Sequence, residues 1–148
     1  MPRISLSIDL LQPRHRVWRE LEAVERHVEW MADAESAEFS GAQTRGVGTV
    51  LVVATRVGPF RTRDVIEFTQ WDPPRLMGIA HRGLFTGTGS FRLEEHEGGT
   101  TLVWSESIRF PWYLGGPIGA TVAGPVLRII WRGNLRRFRE RLAGGGDD

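Results

Sequence analysis

The chain has 148 residues, a net charge of +1 and 41% apolar residues, and all 19 of its basic residues are arginine. A chain of this length can bury a full core as one domain, and its near-neutral charge gives no reason to expect DNA or another polyanion as a partner. Because cysteine and lysine are both missing, thiol nucleophiles, disulfides, thiolate metal sites, Schiff-base catalysis and a P-loop lysine are excluded, and a cysteine-free chain fits the cytoplasm.

The chain begins with a predicted strand and two short helices. Ile4, Leu6 and Ile8 alternate with polar residues, which is typical of a strand with one buried face. This alternation lacks the continuous apolar core of a signal peptide. Pro13 suits the first turn of a helix, and the spacing of apolar residues then predicts one short helix to residue 21 and a second over 24–31.

A run of strands fills the middle of the chain. Turn residues at Gly58-Pro59, Asp72-Pro73-Pro74 and Glu97-Gly98-Gly99 separate stretches rich in apolar and β-branched residues. Because connections of turn length join consecutive strands, the sheet is predicted to be antiparallel and the fold class α+β. The predicted strands begin near residue 38 and then span 49–57, 61–71, 76–81, 87–95 and 100–110.

The C-terminal third is predicted to form one long amphipathic helix. Gly and Pro residues between Trp112 and Gly124 predict a mobile gate, with regular helix only after Pro125. One domain is predicted over 1–143, followed by a disordered tail over 144–148. The apolar stripe of this helix occupies an arc of roughly 80° at about 100° per residue and consists of Leu127, Trp131, Leu135, Phe138 and Leu142.

Six short segments carry a resemblance to a known superfamily. They are Val17-Trp18, Val28-Glu29-Trp30-Met31, Arg45-Gly46-Val47-Gly48-Thr49, Trp71-Asp72-Pro73-Pro74-Arg75-Leu76, Gly99-Thr100-Thr101-Leu102-Val103-Trp104 and Asn134-Leu135-Arg136-Arg137-Phe138. With these segments in this order over residues 4–142, the chain resembles the START-like helix-grip (SRPBCC) superfamily. That superfamily includes polyketide cyclase/dehydrase-like proteins, coenzyme-Q-binding START proteins and birch-pollen allergens. The resemblance implies a curved antiparallel sheet of about six to seven strands that grips the C-terminal helix, with two short helices after the first strand.

The resemblance also implies a function in the space between sheet and helix. The first implied function is a carrier or sensor that binds a hydrophobic small molecule, such as a lipid, a quinone or a polyketide, in an internal cavity without a cofactor. The alternative is a polyketide aromatase/cyclase-type enzyme that acts in the same cavity. A cavity without converging polar groups would favour the carrier, whereas Glu106 hydrogen-bonded to a second titratable group would favour the enzyme.

The predicted cavity has one wall on the helix and one on the sheet. Six Trp and seven Phe residues supply large rings, which either fill the core or stack on a flat apolar ligand. The predicted ligand-binding residues are Leu127, Ile130, Trp131, Asn134 and Phe138 on the helix, and Phe68, Phe91, Trp104 and Glu106 on the sheet.

Glu106 and His81 are the candidate catalytic residues. Within the strand over 100–110, Glu106 interrupts an alternating apolar face, and a lone carboxylate there must be paired, hydrogen-bonded or protonated. Such a group can act as a general acid or base; the alternatives are a buried glutamate held by an arginine or a strand that faces the other way. His81 shares a strand face with Met77 and Ile79, so it either donates to a ligand carbonyl or has a structural role.

Metal and polyanion sites receive little support. The four histidines lack the spacing of metal ligands, so no metal site is predicted. The uncharged run over 110–127 contains three Pro and four Gly, which argues against a transmembrane helix. Contact with a membrane surface without spanning it is one interpretation of this run, and a flexible flap over the fold is the other. The arginine cluster over 128–141 either binds phosphates of another macromolecule or an anionic lipid, or forms a solvated outer face, which the sequence favours.

Overall fold

The structure is a computed structural model that describes residues 3–83 and 85–144. Its order of elements confirms the predicted α+β class. In chain order the elements are β1 Arg3–Leu10, α1 Arg14–Leu21, a 3₁₀ helix Val24–Glu29, β2 Ala34–Phe39, β3 Val50–Val57, β4 Phe60–Asp72, β5 Leu76–Arg82, β6 Thr86–His96, β7 Gly99–Arg109, a 3₁₀ helix Trp112–Leu114 and α2 Gly116–Gly144.

The seven strands of the described residues form one antiparallel sheet in the order β1-β7-β6-β5-β4-β3-β2. Strands β2 to β7 follow one another as a meander, whereas β1 returns to pair with β7, with Arg3 opposite Ser107 and Leu10 opposite Thr100. The register shifts within the β2–β3 and β4–β5 pairs, and such irregularities bend a sheet. The curved sheet packs against α2 through β1 and β7.

The inner face of the sheet carries the core, as the alternation predicts. On β1, Ile4, Leu6 and Leu10 are buried, while Ser5 and Ser7 between them are exposed. Cross-strand neighbours in an antiparallel sheet point to the same face. The buried positions of β1 therefore extend across β7 and β6 as one apolar layer, on which α1 and α2 lie.

Helix α2 begins earlier than predicted. The prediction that regular helix starts only after Pro125 is wrong, because α2 is helical from Gly116 and contains Pro125 within it. Proline removes one backbone hydrogen bond from a helix, and here the helix continues on both sides of that gap. Burial differs between the two halves: Gly116 and Ala120 are the buried residues before Pro125, whereas the residues described after it include buried Trp131, Gly133, Asn134, Leu135, Phe138 and Leu142.

Gly144 is the last residue of α2, and the other residues of the predicted tail, 145–148, lie outside the described residues. Within residues 3–83 and 85–144, none of the helices combines the length and the hydropathy that crossing a membrane requires.

His27 is a buried histidine that the structure keeps neutral. Its Nε2 lies 2.8 Å from the carbonyl oxygen of Leu21, and its ring packs on Trp30 and Phe91. Burial lowers the pKa of His27 to about 4, although the hydrogen bond to Leu21 opposes the shift. The imidazole therefore serves as a neutral donor within the core.

We expect His27 to make the fold acid-sensitive. Its folded pKa lies below the unfolded value of about 6.5, so the unfolded chain binds the proton first and stability is lost as the pH falls from about 6.5 towards 4. The loss due to this residue should approach about 1.4 kcal/mol per pH unit in that window. Urea unfolding at several pH values measures it. A His27→Gln variant should show a shallower slope, and equal slopes for the two proteins would contradict the assignment.

Candidate functional site

The register of the sheet brings the two candidate catalytic residues to one place. Glu106 on β7 lies opposite Gly89 on β6, and Gly89 lies opposite Ile79 on β5. His81 is two residues beyond Ile79 on the same strand, so its side chain emerges on the same inner face. The sequence could not show this neighbourhood, because it depends on the pairing of three strands.

Glu106 is a buried carboxylate with two hydrogen-bond donors. The Nε2 of His81 lies 2.9 Å from its Oε2, and the Nε1 of Trp104 donates to its Oε1 at 3.2 Å. The side chains of Glu106 and His81 are 6% and 14% exposed. A hydrogen-bonded, paired carboxylate is one of the forms in which a buried charge is tolerated.

Gly89 provides the space for this carboxylate. A Cβ atom at Gly89 would lie 2.1 Å from Oε2 of Glu106, which is far inside van der Waals contact. Glu106 can therefore bend across β6 to reach His81 only because the position between them has no side chain. Gly89 is a positioning residue that the sequence analysis did not identify; a glycine within a strand was the available signal.

The electrostatics of the site favour a charged pair. Burial alone lowers the pKa of His81, but the hydrogen bond and the charge of Glu106, together with the charge of Asp64, outweigh it and raise the pKa above its usual value. Asp64 is buried on β4, where desolvation raises its pKa against the opposing effects of a hydrogen bond from Thr62 and the charge of His81. His81 is thus hydrogen-bonded to one carboxyl group, Glu106, and interacts through charge with a second, Asp64, which the sequence analysis missed.

A small cavity lies beside Glu106, under the N-terminal half of α2. Its volume is about 10 Å³, which is about the space of one water molecule. Apart from the Glu106 carboxylate, the walls of the cavity are apolar. They consist of Ile4 of β1, Ile108 of β7, Phe110 directly after β7, and Ala120 and Leu127 of α2.

A larger, mostly polar hollow of about 330 Å³ also borders the site, since Ile79, Gly89 and Glu106 are among its lining residues. Its lining includes Arg3, Thr88 and Ser90. Since Phe91 faces the core, alternation places Ser90 on the outer face. The hydroxyl-rich lining does not suit an apolar ligand.

The predicted aromatic residues pack on one another. Trp104 stacks on Trp131 with ring centroids 5.0 Å apart, and Phe91 lies 5.3 Å from Trp104. Trp30 stands in the middle of the group, with its ring 4.9 Å from that of Phe138. The rings thus occupy the space beneath the C-terminal half of α2. Large rings on an inner face are compatible with either a filled core or a cavity wall, and only the packing distinguishes them.

The remaining predicted ligand residues are spread over the core. Leu127 lines the small cavity next to Glu106. Ile130 is half-buried against the core, and Phe68 packs edge-on against Trp71 at 5.5 Å. The structure thus brings Glu106, His81, Trp104 and Leu127 to one region, while Phe68 lies in a separate ring contact.

Asn134 holds α2 to the loop before β2. Its Nδ2 donates to Asp33 at 2.9 Å, its Oδ1 accepts from the backbone N–H of Ala32 at 2.9 Å, and Arg137 also donates to that oxygen. The Nε1 of Trp131 donates to the other oxygen of Asp33 at 3.2 Å. We call this group, Asp33, Trp131, Asn134 and Arg137 with the backbone of Ala32, the helix clamp. Asp33 was missed because it lies in a connection without periodicity.

In the described part of the chain, no group of three or more His, Cys, Asp or Glu side chains is placed to hold a metal ion. The polar groups in hydrogen-bond contact at the site are those of Glu106, His81 and the indole N–H of Trp104.

The architecture is a helix-grip fold: a curved antiparallel sheet around a long C-terminal helix, with an ionisable pair on its inner face. The chain belongs to the family described as polyketide cyclase / dehydrase and lipid transport, whose model matches residues 1–144. The resemblance inferred from the sequence is thereby confirmed. No curated protein matches the chain at the level of sequence.

Solved structures share the fold at low sequence identity. A protein from Thermus thermophilus is 17% identical with a TM-score of 0.78, covering 99% of this chain and 100% of that one. A conserved protein from Geobacillus kaustophilus is 17% identical with a TM-score of 0.80, covering 96% and 95%. An aromatase/cyclase, Zhui, from a Streptomyces species is 14% identical with a TM-score of 0.68, covering 97% and 92%. At such identities the likeness establishes the fold alone.

Proposed function

We propose that this protein is a carrier or sensor that binds a hydrophobic small molecule between α2 and the sheet. The supporting observation is the small cavity in which apolar side chains such as Ile108 and Leu127 surround the Glu106 carboxylate. Apolar walls with one convergent polar group suit a ligand with an apolar body and an oxygen-bearing end. Lipids, quinones and polyketides share that chemistry, and the family's description includes lipid transport. A cytoplasmic location is part of the proposal.

Binding requires the cover of the cavity to move. A space of about 10 Å³ admits no lipid or quinone. The cover is the N-terminal half of α2, which contributes Ala120 and Leu127 to the cavity and buries little else. The helix clamp holds the other half through Asn134. We therefore propose that residues 116–127 move away from β7 to admit the ligand, as a minor open state that the ligand stabilises.

A block of the cavity tests the carrier function. In Leu127→Trp, the larger side chain should fill the space next to Glu106 and weaken binding of an apolar ligand at least tenfold. The matched control is Glu140→Trp, on the exposed side of the same helix. Native mass spectrometry of protein purified without detergent identifies any co-purified compound, and titration with a ubiquinone analogue and a fatty acid gives affinities. No apolar ligand for the wild type, or equal affinity in Leu127→Trp, would contradict the proposal.

By the criterion given from the sequence, the hydrogen bond between His81 and Glu106 favours the alternative, an enzyme of the polyketide aromatase/cyclase type, which is the second candidate function. The carrier is placed first because a hydrogen-bonded pair is also the form in which a buried charge is stable without a catalytic role. In an aldol cyclisation, a base removes a proton from the carbon between two ketones, and that carbon then attacks a third carbonyl carbon. The attacked carbonyl oxygen takes up this proton equivalent and becomes a hydroxyl group. The hydroxyl group then leaves as water, with a second proton from the attacking carbon, and a C=C bond forms. His81 as imidazolium can donate to this oxygen, and a carboxylate can accept the carbon-bound proton. The imidazole of His81 and the carboxylate of Glu106 are hydrogen-bonded to each other.

Turnover of a short poly-β-ketone ester separates the two candidates. An enzyme should convert it to a dehydrated cyclic product detectable by mass spectrometry, and Glu106→Gln should abolish that product while still binding the ester. A carrier should bind the ester and return it unchanged. Spontaneous cyclisation without protein supplies the background rate. An equal rate with wild type, Glu106→Gln and no protein would remove the enzymatic candidate.

A further inference from the structure

The outward face of α2 carries apolar residues at positions where a surface helix of a globular protein normally carries polar ones. Ile118, Val122 and Ile129 are 76%, 71% and 73% exposed. Together with Pro125 they recur at intervals of four and three residues, so they lie in one row along the helix. An ordinary amphipathic helix would place charged or polar residues in this row. The inner side of the same half is apolar as well, since Ala120 and Leu127 line the cavity.

The short 3₁₀ helix immediately before α2 also carries exposed aromatic residues. There Trp112 is 86% exposed and Tyr113 is 60% exposed, and their rings pack edge-on against each other at 5.7 Å. These rings extend the exposed apolar surface without belonging to the core. Tryptophan and tyrosine are the residues that concentrate at the boundary between lipid and water, because their rings are apolar and carry a polar group.

The charged residues within this segment of the chain have a single sign. The sequence from Ser107 to Arg139 contains no Asp or Glu and six arginines. Beyond Ile129, the outward row of α2 continues as Arg132 and Arg136, both exposed. The surface thus passes from exposed aromatic rings through an apolar row to cations. We call Trp112, Tyr113, Ile118, Val122 and Ile129, with Arg132 and Arg136, the docking surface.

We propose that the docking surface binds an anionic lipid bilayer, with α2 lying in the plane of the headgroups. Apolar side chains enter the acyl boundary, Trp112 and Tyr113 lie at the interface, and the arginines contact phosphate groups. The argument for a bilayer is charge complementarity: a second copy that paired through the same surface would bring the same positive charge, whereas an anionic membrane supplies the opposite one. Since no described helix is able to span a membrane, α2 lies on the surface.

Membrane docking concerns the same cavity as the proposed function, and its role in ligand transfer rests on that function. The half of α2 that would touch lipid is the half that covers the cavity beside Glu106. Lipid contact on its outer face would stabilise a displaced helix half, and an apolar ligand would then pass between bilayer and cavity without crossing water. The ligand class is accordingly one that resides in membranes, such as a lipid or a quinone.

Vesicle co-sedimentation tests the docking surface. Wild-type protein should bind vesicles of phosphatidylcholine mixed with phosphatidylglycerol, bind phosphatidylcholine alone much more weakly, and lose affinity as salt is added. Val122→Asp should reduce binding to the mixed vesicles at least tenfold. Arg132→Gln should reduce it about fivefold, which corresponds to about 1 kcal/mol for one arginine near an anionic surface.

The matched control is Leu11→Asp, which adds the same charge at an exposed apolar residue outside the docking surface, 88% exposed. It should bind vesicles like the wild type. Circular dichroism verifies folding, and Val122→Ser replaces Val122→Asp if the latter unfolds.

Three results would overturn the inference. They are no binding to mixed vesicles, equal binding by Val122→Asp and wild type, and a dimer in sedimentation velocity that Val122→Asp dissociates while vesicle binding is absent. The last result would assign the surface to a second copy of the chain. The soluble-ligand experiment with Leu127→Trp contains no vesicles, so failure of membrane docking and failure of ligand binding are observed separately.

Discussion

His81→Leu should lower the free energy of unfolding by about 3–5 kcal/mol near pH 6, because removal of one partner leaves a buried charge without compensation. Glu106 is 6% exposed and would retain the Trp104 N–H as a donor. The folded pKa of His81 lies above its ordinary value. Its contribution is therefore fully present below the unfolded pKa of about 6.5 and is lost as the pH rises through the folded pKa. Urea unfolding at pH values from acid to alkaline measures both effects.

A double variant and a surface control make this result specific. The double variant, Glu106→Gln with His81→Leu, should lose less free energy of unfolding than the two single variants lose together, since neither charge remains. Arg82→Leu removes an ion pair with Glu67 from the neighbouring position, where the arginine side chain is 58% exposed, and should cost no more than about 1 kcal/mol. Additivity in the double variant would mean that the two residues do not act as a pair.

Trp30→Ala should have the other large effect, a loss of about 3–5 kcal/mol in the free energy of unfolding. Trp30 is 2% exposed and contacts the rings of His27, Phe91, Trp104 and Phe138. Its removal leaves a dry, apolar cavity. Added indole or benzene should therefore raise the Tm of the variant but not that of the wild type. Thermal unfolding followed by circular dichroism gives the result.

The same substitution at Trp112, which is 86% exposed, is the control and should change stability by less than about 0.5 kcal/mol. A small effect at Trp30, or equal effects at the two positions, would show that the ring cluster is loosely packed. That outcome would also favour a ligand pocket among the rings over one beside Glu106.

The fold was predictable because its signals are local. Alternation in β1 and turns such as Asp72-Pro73-Pro74 specify strands and their connections independently of the rest of the chain. The start of α2 was not predictable, because a proline such as Pro125 usually marks a helix boundary. Here the helical turns on both sides of Pro125 are retained. Tertiary context decided this element, as it often does.

The site was predictable only in part, for a similar reason. Glu106 stood out because one carboxylate interrupts an apolar strand face, and His81 because it shares such a face. Their contact and the role of Gly89 depend on the register of β5, β6 and β7, which no single strand encodes. Asp33 had no periodic signal at all. Whether Trp104 and Trp131 line a space or fill it depends on summed side-chain volumes, which the order of residues does not give.

The place of β1 in the sheet matters during synthesis. β1 is synthesised before its only neighbour in the described sheet, β7, which begins at Gly99, so β2 to β6 must all be translated before the two can pair. Until then the apolar face of Ile4 and Leu6 has neither its strand partner nor α2 to cover it. A ribosome that pauses within β6 therefore holds an unpaired apolar strand, which is the kind of segment that chaperones bind and that aggregates when they do not.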